Sequence, residues 1–185
     1  MIIIIAEKNN QKNPHEHGRK LLSGILNKLY PNHTEFSVSK NENGKPYIPS
    51  LPEFRFNISH SGEWTVLAIS DSDVGVDIQL IKPIRDGLAK RFFTRRENLK
   101  LDSLNNEDYS NEFTRMWTMK EARTKAAGES LAKTLSLYNT VEYDGTTAKT
   151  IAGYYVSEIP FPDEKYILSL SSATEISDNY YLKIQ

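Results

Sequence analysis

The sequence predicts an α+β protein of two related lobes, each a small antiparallel sheet packed with helices. The chain has 185 residues, which is long enough for two small domains. Strand-like and helix-like patterns follow one another in a similar order in both halves, without a repeat at the level of residues. The polar run at residues 71–73 separates the halves, so we expect an N-terminal lobe at residues 1–72 and a C-terminal lobe at residues 73–185.

The first half begins with a strand and continues into a helix. Residues 2–6 are apolar throughout and predict a buried strand. After Pro14, leucine and isoleucine residues recur on one face of a helix that Pro31 ends, and Arg19 lies near its start. Alternating or apolar runs predict three further strands, at residues 34–39, 54–59 and 64–70.

The second half is predicted to place two helices between strands. An apolar strand at residues 74–80 opens it, and helical patterns follow at residues 84–101 and 108–128. Strands return after the helices, and we expect them to form one antiparallel sheet. These strands are predicted at residues 141–143, 151–157, 166–171 and 180–184.

Composition narrows the classes of partner and chemistry. Lys and Arg total 23 and Asp and Glu total 24, so the net charge of −1 gives no global attraction to nucleic acid or membranes. The absence of cysteine excludes disulfides and thiolate chemistry. Residues 1–5 lack the features of a signal peptide, and no segment approaches the roughly twenty apolar residues of a membrane span. We therefore expect a cytoplasmic protein without a nucleic-acid or membrane partner.

Two segments place charged side chains where chemistry is plausible. The strand at residues 74–80 carries Asp77, with Gln79 on the same face. The second predicted helix places Glu121 and Lys125 on one face at four-residue spacing. Each segment alone has a plain structural explanation, a strand-end carboxylate or a solvated helix pair worth about 0.2–0.5 kcal/mol. Together they suggest a site for a metal ion and a phosphate.

Five segments, taken in order, carry a resemblance to a known family. They are Gly44-Lys45-Pro46-Tyr47, Phe56 to Gly62, Val74 to Asp77, Arg91-Phe92-Phe93 and Trp117 to Lys125. In this order they resemble the 4'-phosphopantetheinyl transferases of the surfactin-synthetase-activating type, often called Sfp-type. The resemblance runs from about residue 15 to about residue 140. It implies a pseudo-dimer of two α+β lobes with coenzyme A bound in the cleft between them.

The resemblance also implies an activity. A holo-[acyl-carrier-protein] synthase, or 4'-phosphopantetheinyl transferase, moves the 4'-phosphopantetheine arm of coenzyme A to a serine of an apo acyl or peptidyl carrier protein. The other product is adenosine 3',5'-bisphosphate, and Mg²⁺ is the expected ion. Two lobes in one chain make a monomer sufficient. The motifs do not distinguish among carrier proteins or pathways.

For the catalytic centre, the resemblance implies that Asp77 and Glu121 hold the metal. Gln79 stands where these enzymes usually have a glutamate, so we expect its contact with the metal to be weak or through water, and metal affinity to be lower. Lys125 is expected to stabilise charge on the leaving phosphate. The expected catalytic residues are therefore Glu121, Lys125 and Asp77. Either Glu121 or a metal-bound water takes the proton of the serine.

For the coenzyme, the resemblance implies contacts along the first lobe and from the second helix. Without the resemblance, His60 is better explained as a turn residue hydrogen-bonded to the backbone, and Lys45 as an exposed turn lysine. The implied contacts are Arg19, Lys45, Ser59, His60 and Lys125.

The basic stretch at residues 82–100 offers a surface that steers an acidic carrier protein. The alternative is a solvated helix face with Phe92 and Phe93 in the core. Arg95 and Arg96 are the better candidates for contact with a partner.

Two other functions belong to different classes. One is a non-catalytic relative that binds coenzyme A or a carrier protein and has lost turnover through Gln79. The other is a metal-dependent phosphodiesterase or pyrophosphatase that passes the group to water. The spacing of Lys120, Glu121 and Lys125 favours the transferase over both.

Overall fold

The computed structural model describes residues 1–9, 13–32, 35–176 and 180–184, apart from the side chain of Glu107. Within these ranges the chain forms two four-stranded sheets, a two-stranded ribbon and five helices. The predicted α+β class is confirmed, with small, mainly antiparallel sheets packed against helices. None of the helices in these ranges combines the length and apolar character needed to cross a membrane.

The first lobe is a sheet with one long helix on its outer face. Asn13 caps this helix by accepting a hydrogen bond from the backbone of Glu16, and Pro14 occupies the first turn. Leu22 of the helix and Leu67 of the sheet belong to one buried apolar cluster. The elements are β1 (Ile2–Lys8), α1 (Pro14–Leu29), β2 (Ser39–Lys40), β3 (Pro46–Tyr47), β4 (Arg55–Ser61) and β5 (Trp64–Ser70).

The second lobe carries the long helix α4 against a sheet with the order β6-β9-β8-β7. Gly75 of β6 allows the close approach of α4, because a Cβ atom at this position would collide with the backbone of Ala122 and Ala126. The elements are β6 (Val74–Leu80), α2 (Leu88–Phe92), α3 (Arg95–Asp102), α4 (Asn106–Ala127), α5 (Leu131–Thr134), β7 (Thr150–Ile151), β8 (Tyr154–Ile159), β9 (Tyr166–Ser172) and β10 (Tyr180–Ile184).

The two sheets pack against each other around one shared core. Ile4 and Val66 of the first sheet lie in the same buried cluster as Val76 and Leu168 of the second. Because side chains alternate along a strand, the neighbouring Ile5 faces α1 instead. The division of the chain at residue 72 stays a prediction, and the shared core means that neither sheet is covered by its own lobe alone.

The C-terminal strand β10 lies in the first sheet, so its predicted place in the antiparallel sheet of the second half is wrong. It pairs in parallel with β1, from Ile2 opposite Tyr180 to Ala6 opposite Ile184. Tyr180 and Leu182 pack against the shared core, and this burial stabilises β10 in the first sheet. Strand partners far apart in sequence are selected by such packing, which a local pattern does not encode.

Four other predicted elements differ from the structure. The strand predicted at 151–157 is two strands, β7 and β8, joined by a turn at residues 152 and 153. The helix predicted at 84–101 is two helices, because Thr94 forms a capping box with Glu97 that starts α3. The strand predicted at 34–39 includes residue 34, which lies outside the described residues, while residues 35–38 are irregular and precede the short β2. The strand predicted at 141–143 is reduced to one bridge, between Val141 and Thr147.

Candidate active site

Residues from both lobes line one cleft of about 680 Å³. Seven of the eight predicted site residues line it, and Lys45 lies outside this lining. The cleft therefore brings together the residues predicted for the catalytic centre and most of those predicted to contact the coenzyme. Its lining consists of His15, Arg19, Leu22, Val38, Lys40, Pro46, Phe56, Ile58, Ser59, His60, Asp77, Gln79, Glu121 and Lys125.

Polar side chains of β4 bind the free edge of β6 and so join the lobes at the cleft. One edge of β6 pairs with β9, so the N–H groups on its other edge need acceptors from elsewhere. Three alternate side chains of β4 supply them. The pairs, donor first, are Val76 to Asn57 at 2.9 Å, Ile78 to Ser59 at 3.3 Å and Leu80 to Ser61 at 3.0 Å.

This ladder was missed by the sequence analysis, although its signal is present. Asn57, Ser59 and Ser61 are polar residues at every second position of a strand, and apolar Phe56 and Ile58 alternate with them. Such alternation indicates one polar face, and here that face binds another strand. The ladder also sets Ser59 beside Asp77.

Lys125 lies between two carboxylates at the floor of the cleft. Its Nζ atom is 2.5 Å from Oδ1 of Asp77 and 3.4 Å from Oε2 of Glu121. It also donates to Oγ of Ser59 at 3.2 Å, while Ser59 donates to Asp77 at 2.8 Å. Helix α4 places Glu121 and Lys125 one turn apart, facing β6.

The cluster shifts the proton affinities of its members. Burial and the nearby charge of Asp77 raise the pKa of Glu121 to about 7, against the opposing effects of Lys125 and a hydrogen bond with Trp117. Burial lowers the pKa of Lys125, but the carboxylates of Asp77 and Glu121 outweigh burial, and the net pKa is raised. The cluster thus holds a firmly charged ammonium and a carboxyl group that exchanges its proton near neutral pH.

Gln79 supports Asp77 directly. Its Nε2 atom donates a hydrogen bond of 3.2 Å to Oδ2 of Asp77. In this arrangement the side chain presents a donor to the carboxylate, whereas a glutamate would present a second charged acceptor.

Asp77 and Glu121 are the carboxylates of the cleft that could hold a Mg²⁺ ion. Across the described part of the chain, His, Asp and Glu side chains form no group of three or more that is placed to hold a metal. Mg²⁺ needs only one or two protein carboxylates, because waters and substrate phosphates complete its octahedron. Both carboxylates already converge on one cation, the ammonium of Lys125, and burial together with the charge of Asp77 raises the pKa of Glu121.

The first lobe lines the opposite wall of the cleft with basic side chains. Arg19 and Lys40 line it, and the rings of His15 and His60 meet edge to face with centroids 4.6 Å apart. Burial, then His15 and Lys125, lower the pKa of His60. His15 and Lys40 were not among the site residues predicted from the sequence. The signal for His15 is its position one helical turn before Arg19, but Lys40 follows a predicted strand and had no signal.

Lys45 points away from the cleft. Its Nζ atom lies 2.9 Å from Oδ1 of Asp73 and also donates to the backbone carbonyl of Ala126. The contact of Lys45 with the coenzyme stays a prediction.

The basic stretch before α4 is partly structural. Phe93 is buried and Phe92 half-buried, as the alternative interpretation expects. Arg96 donates to the backbone carbonyl of Val141 at 2.8 Å, so it holds a loop. Arg95 is exposed.

Lys120, the neighbour of Glu121, faces into the second lobe. Its ammonium lies 2.7 Å from Oε2 of the buried Glu97 and 2.7 Å from the carbonyl oxygen of Tyr138. Burial lowers the pKa of Lys120, and Glu97 opposes this effect. Lys120 thus ties α4 to α3 and fixes the helix that carries Glu121.

The chain is similar in sequence to curated 4'-phosphopantetheinyl transferases. The 4'-phosphopantetheinyl transferase ffp of Bacillus subtilis is 37% identical over 123 residues, 66% of this chain and 55% of that protein. The 4'-phosphopantetheinyl transferase Sfp of Bacillus subtilis strain 168 is 35% identical over 123 residues, with the same coverage of both chains. The chain spans about half the length of these curated relatives.

A solved structure and two family models also match. The holo-[acyl-carrier-protein] synthase (AcpS) of Thermotoga maritima gives a TM-score of 0.45 at 16% identity, over 56% of this chain and 64% of that one. Residues 17–72 match the model of the 4'-phosphopantetheinyl transferase N-terminal region. Residues 73–180, which include Asp77, Glu121 and Lys125, match the model of the 4'-phosphopantetheinyl transferase superfamily. The chain therefore belongs to this superfamily, as a member of the Sfp type.

Proposed function

We propose that this protein transfers the 4'-phosphopantetheine arm of coenzyme A to a serine of an apo acyl or peptidyl carrier protein, with Mg²⁺, and releases adenosine 3',5'-bisphosphate. One observation carries the proposal. Asp77, Glu121 and Lys125 meet within 3.4 Å at the floor of a cleft of about 680 Å³ that both lobes line. Members of the superfamily use coenzyme A as their co-substrate, and a cleft of this size suits a small-molecule cofactor.

The side chains have distinct tasks in this reaction. The serine oxygen forms a bond to the phosphorus that carries the pantetheine arm, and the bond from that phosphorus to the nucleotide phosphate breaks. The serine proton goes either to Glu121 or to a water at the site: the pKa of Glu121 is raised to about 7 in the metal-free cluster, but a carboxylate that holds Mg²⁺ is a weaker base. Lys125 keeps its charge and stabilises the negative charge that develops on the leaving phosphate. Mg²⁺ held by Asp77 and Glu121 would neutralise the pyrophosphate.

The opposite wall supports binding of the nucleotide part. Arg19, Lys40 and His60 line the cleft from the first lobe and offer cationic or hydrogen-bonding groups to phosphates. The same chain supplies both walls, so we propose that a monomer is sufficient. Because coenzyme A is an intracellular metabolite, we place the reaction in the cytoplasm.

The experiment is an intact-mass assay. Purified protein, coenzyme A and Mg²⁺ are incubated with a panel of apo acyl and peptidyl carrier proteins, and the mass of each carrier is measured. We expect at least one carrier to gain one phosphopantetheine arm, and the Glu121→Gln variant to give no gain although it remains folded. If no carrier in the panel gains mass, the proposal is refuted.

One observation favours a second candidate, a relative that binds coenzyme A without turnover. Gln79 replaces an expected third carboxylate and donates to Asp77, which lowers the negative charge available to a metal. Calorimetry distinguishes the two candidates, because this relative binds coenzyme A tightly while every carrier keeps its mass.

A further inference from the structure

The C-terminal end of α4 rests on the turn between β2 and β3. Lys45 in this turn donates to the carbonyl oxygen of Ala126 in the last turn of α4, and its ammonium lies 2.9 Å from Oδ1 of Asp73. The side chain of Lys45 is 15% exposed and that of Asp73 is 43% exposed. A largely buried ammonium thus joins the first lobe to the second lobe. We call this group, Lys45 with Asp73 and the Ala126 carbonyl, the latch.

The turn is built to aim Lys45 at the helix. The side-chain oxygen of Asn41 accepts hydrogen bonds from the backbone N–H groups of Asn43 at 3.0 Å and Lys45 at 2.8 Å. Gly44 takes the φ of 87° that the turn requires. These contacts hold the backbone of the turn, and with it the Cα–Cβ bond from which the Lys45 side chain extends.

The helix end is shaped to receive the turn. Gly128 follows α4 with a φ of 65°, and a Cβ atom there would lie 3.0 Å from Nδ2 of Asn41 and 3.1 Å from Cδ of Lys45. The turn and the helix end are therefore in direct contact. Carbonyl groups at the end of a helix carry partial negative charge, so the ammonium of Lys45 is well placed there.

The latch connects three parts of the proposed active site. Asp73 immediately precedes β6, which carries Asp77. Ala126 immediately follows Lys125 in α4. Lys40 and Pro46, on the two strands next to the turn, line the cleft.

We propose that Lys45 is a positioning residue, which holds the end of α4 and the start of β6 against the β2–β3 ribbon and so fixes Lys125 opposite the cleft wall. The inference rests on the proposed function. It assigns Lys45 a role other than contact with the coenzyme. A small misplacement of a reacting group lowers the rate of a transfer reaction steeply, so loss of the latch should lower kcat.

The test is a double-mutant cycle with Lys45→Met, Asp73→Asn and the combined variant. For each protein we would measure the free energy of unfolding, the Kd of coenzyme A by calorimetry, and kcat and KM of transfer. We expect each single variant to lower kcat at least about fivefold, and the double variant to be no worse than the more impaired single variant. Asp73→Glu keeps the carboxylate and should recover most of kcat.

Whether each variant tightens or weakens coenzyme binding distinguishes the latch from a direct contact between Lys45 and the coenzyme. If Lys45 binds a phosphate of the coenzyme, Asp73→Asn removes a competing anion and tightens binding, while Lys45→Met weakens it. The latch requires both single variants to change the affinity in the same direction, or neither to change it. Opposite directions would overturn the inference. Asp71→Asn is the matched control: this carboxylate is 73% exposed and lies two residues away, and its loss should change none of the quantities.

The outcome also distinguishes this inference from the proposed function. If the double variant loses as much unfolding free energy as the two single variants lose together, the latch is overturned, whether or not any carrier protein is modified. Wild-type transfer with unchanged kcat in both single variants also overturns it, although the proposed function then stands. If the wild type transfers nothing, the coupling in unfolding and the shared direction in coenzyme affinity still decide the question.

Discussion

The side-chain amide of Gln79 donates a hydrogen bond of 3.2 Å to Oδ2 of Asp77. The other carboxylate oxygen of Asp77, Oδ1, accepts hydrogen bonds from Lys125 and Ser59. The carboxylate is therefore held by donors on both sides. Two neutral donors and one ammonium thus satisfy the carboxylate of Asp77, and a Mg²⁺ ion bound there would replace some of them.

Gln79→Glu should lower the Mg²⁺ concentration needed for half-maximal transfer by about tenfold, because it adds a charged oxygen next to Asp77. Without Mg²⁺ the same change should lower the melting temperature, since a donor to Asp77 becomes a repelling carboxylate. Transfer rates and melting curves across a Mg²⁺ titration measure both effects. Gln79→Met is the control that removes the hydrogen bond without adding charge. An identical Mg²⁺ dependence in Gln79→Glu and wild type would show that this position does not influence the metal.

Glu121→Gln should change how stability depends on pH in the metal-free protein. The pKa of Glu121 is raised from 4.5 to about 7, so wild type is most stable below pH 4.5 with respect to this group and loses that stability as the pH rises through about 7. Glutamine cannot ionise. The stability of the variant relative to wild type should therefore increase between these pH values, by up to about 3 kcal/mol.

Denaturant unfolding in EDTA at pH 5 and pH 8 measures the change in that difference. Added Mg²⁺ at pH 8 should stabilise wild type more than the variant, because the ion favours the charged carboxylate. A difference that stays constant between the two pH values would contradict the raised pKa of Glu121.

The sequence was sufficient to predict the functional side chains that lie on regular elements. Asp77 and Gln79 are two residues apart on a strand, so they share one face of it. Glu121 and Lys125 are four residues apart on a helix and likewise share a face. That the two segments form one site was suggested by their charged groups, and the resemblance added the cleft between two lobes. The structure adds the reason, which is that β4 side chains bind the backbone of β6.

The features that sequence reasoning missed depend on long-range packing. Strand β10 pairs with β1 at the far end of the chain, and its own pattern fits either sheet equally well. Lys45 lies in a turn whose chemistry predicts exposure, yet the end of α4 covers it. Lys40 lines the cleft from the short strand β2, which follows the irregular residues 35–38. None of these placements leaves a local signal.

Ser59→Ala should destabilise the protein by about 1–3 kcal/mol, because it leaves the buried N–H of Ile78 without its acceptor and removes a donor to Asp77. Ser61→Ala makes the same chemical change on the same strand, but Ser61 is only half-buried, and water can replace it at the N–H of Leu80. We expect a loss of at most about 1 kcal/mol there. Urea unfolding of both variants compares the two losses, and equal losses would contradict a special role for Ser59.

Gly75→Ala should destabilise the protein by about 3 kcal/mol or more and abolish transfer. A Cβ atom at this position would collide with the backbone oxygen of Ala122 and the backbone nitrogen of Ala126, and backbone atoms cannot rotate away as a flexible side chain can. Helix α4 must therefore move off β6, and Glu121 leaves its place beside Asp77.

The same substitution at Gly24 is the matched control for Gly75→Ala. Gly24 lies in the exposed interior of α1, and a Cβ atom there has no neighbour within 4 Å, so Gly24→Ala should stabilise the protein by about 0.5–1 kcal/mol through helix propensity. The melting temperatures of the two variants should therefore move in opposite directions, and Gly24→Ala should keep the wild-type transfer rate. A Gly75→Ala protein with the wild-type melting temperature would mean that α4 and β6 are not in backbone contact, and the positions of Glu121 and Lys125 over Asp77 would then need another explanation.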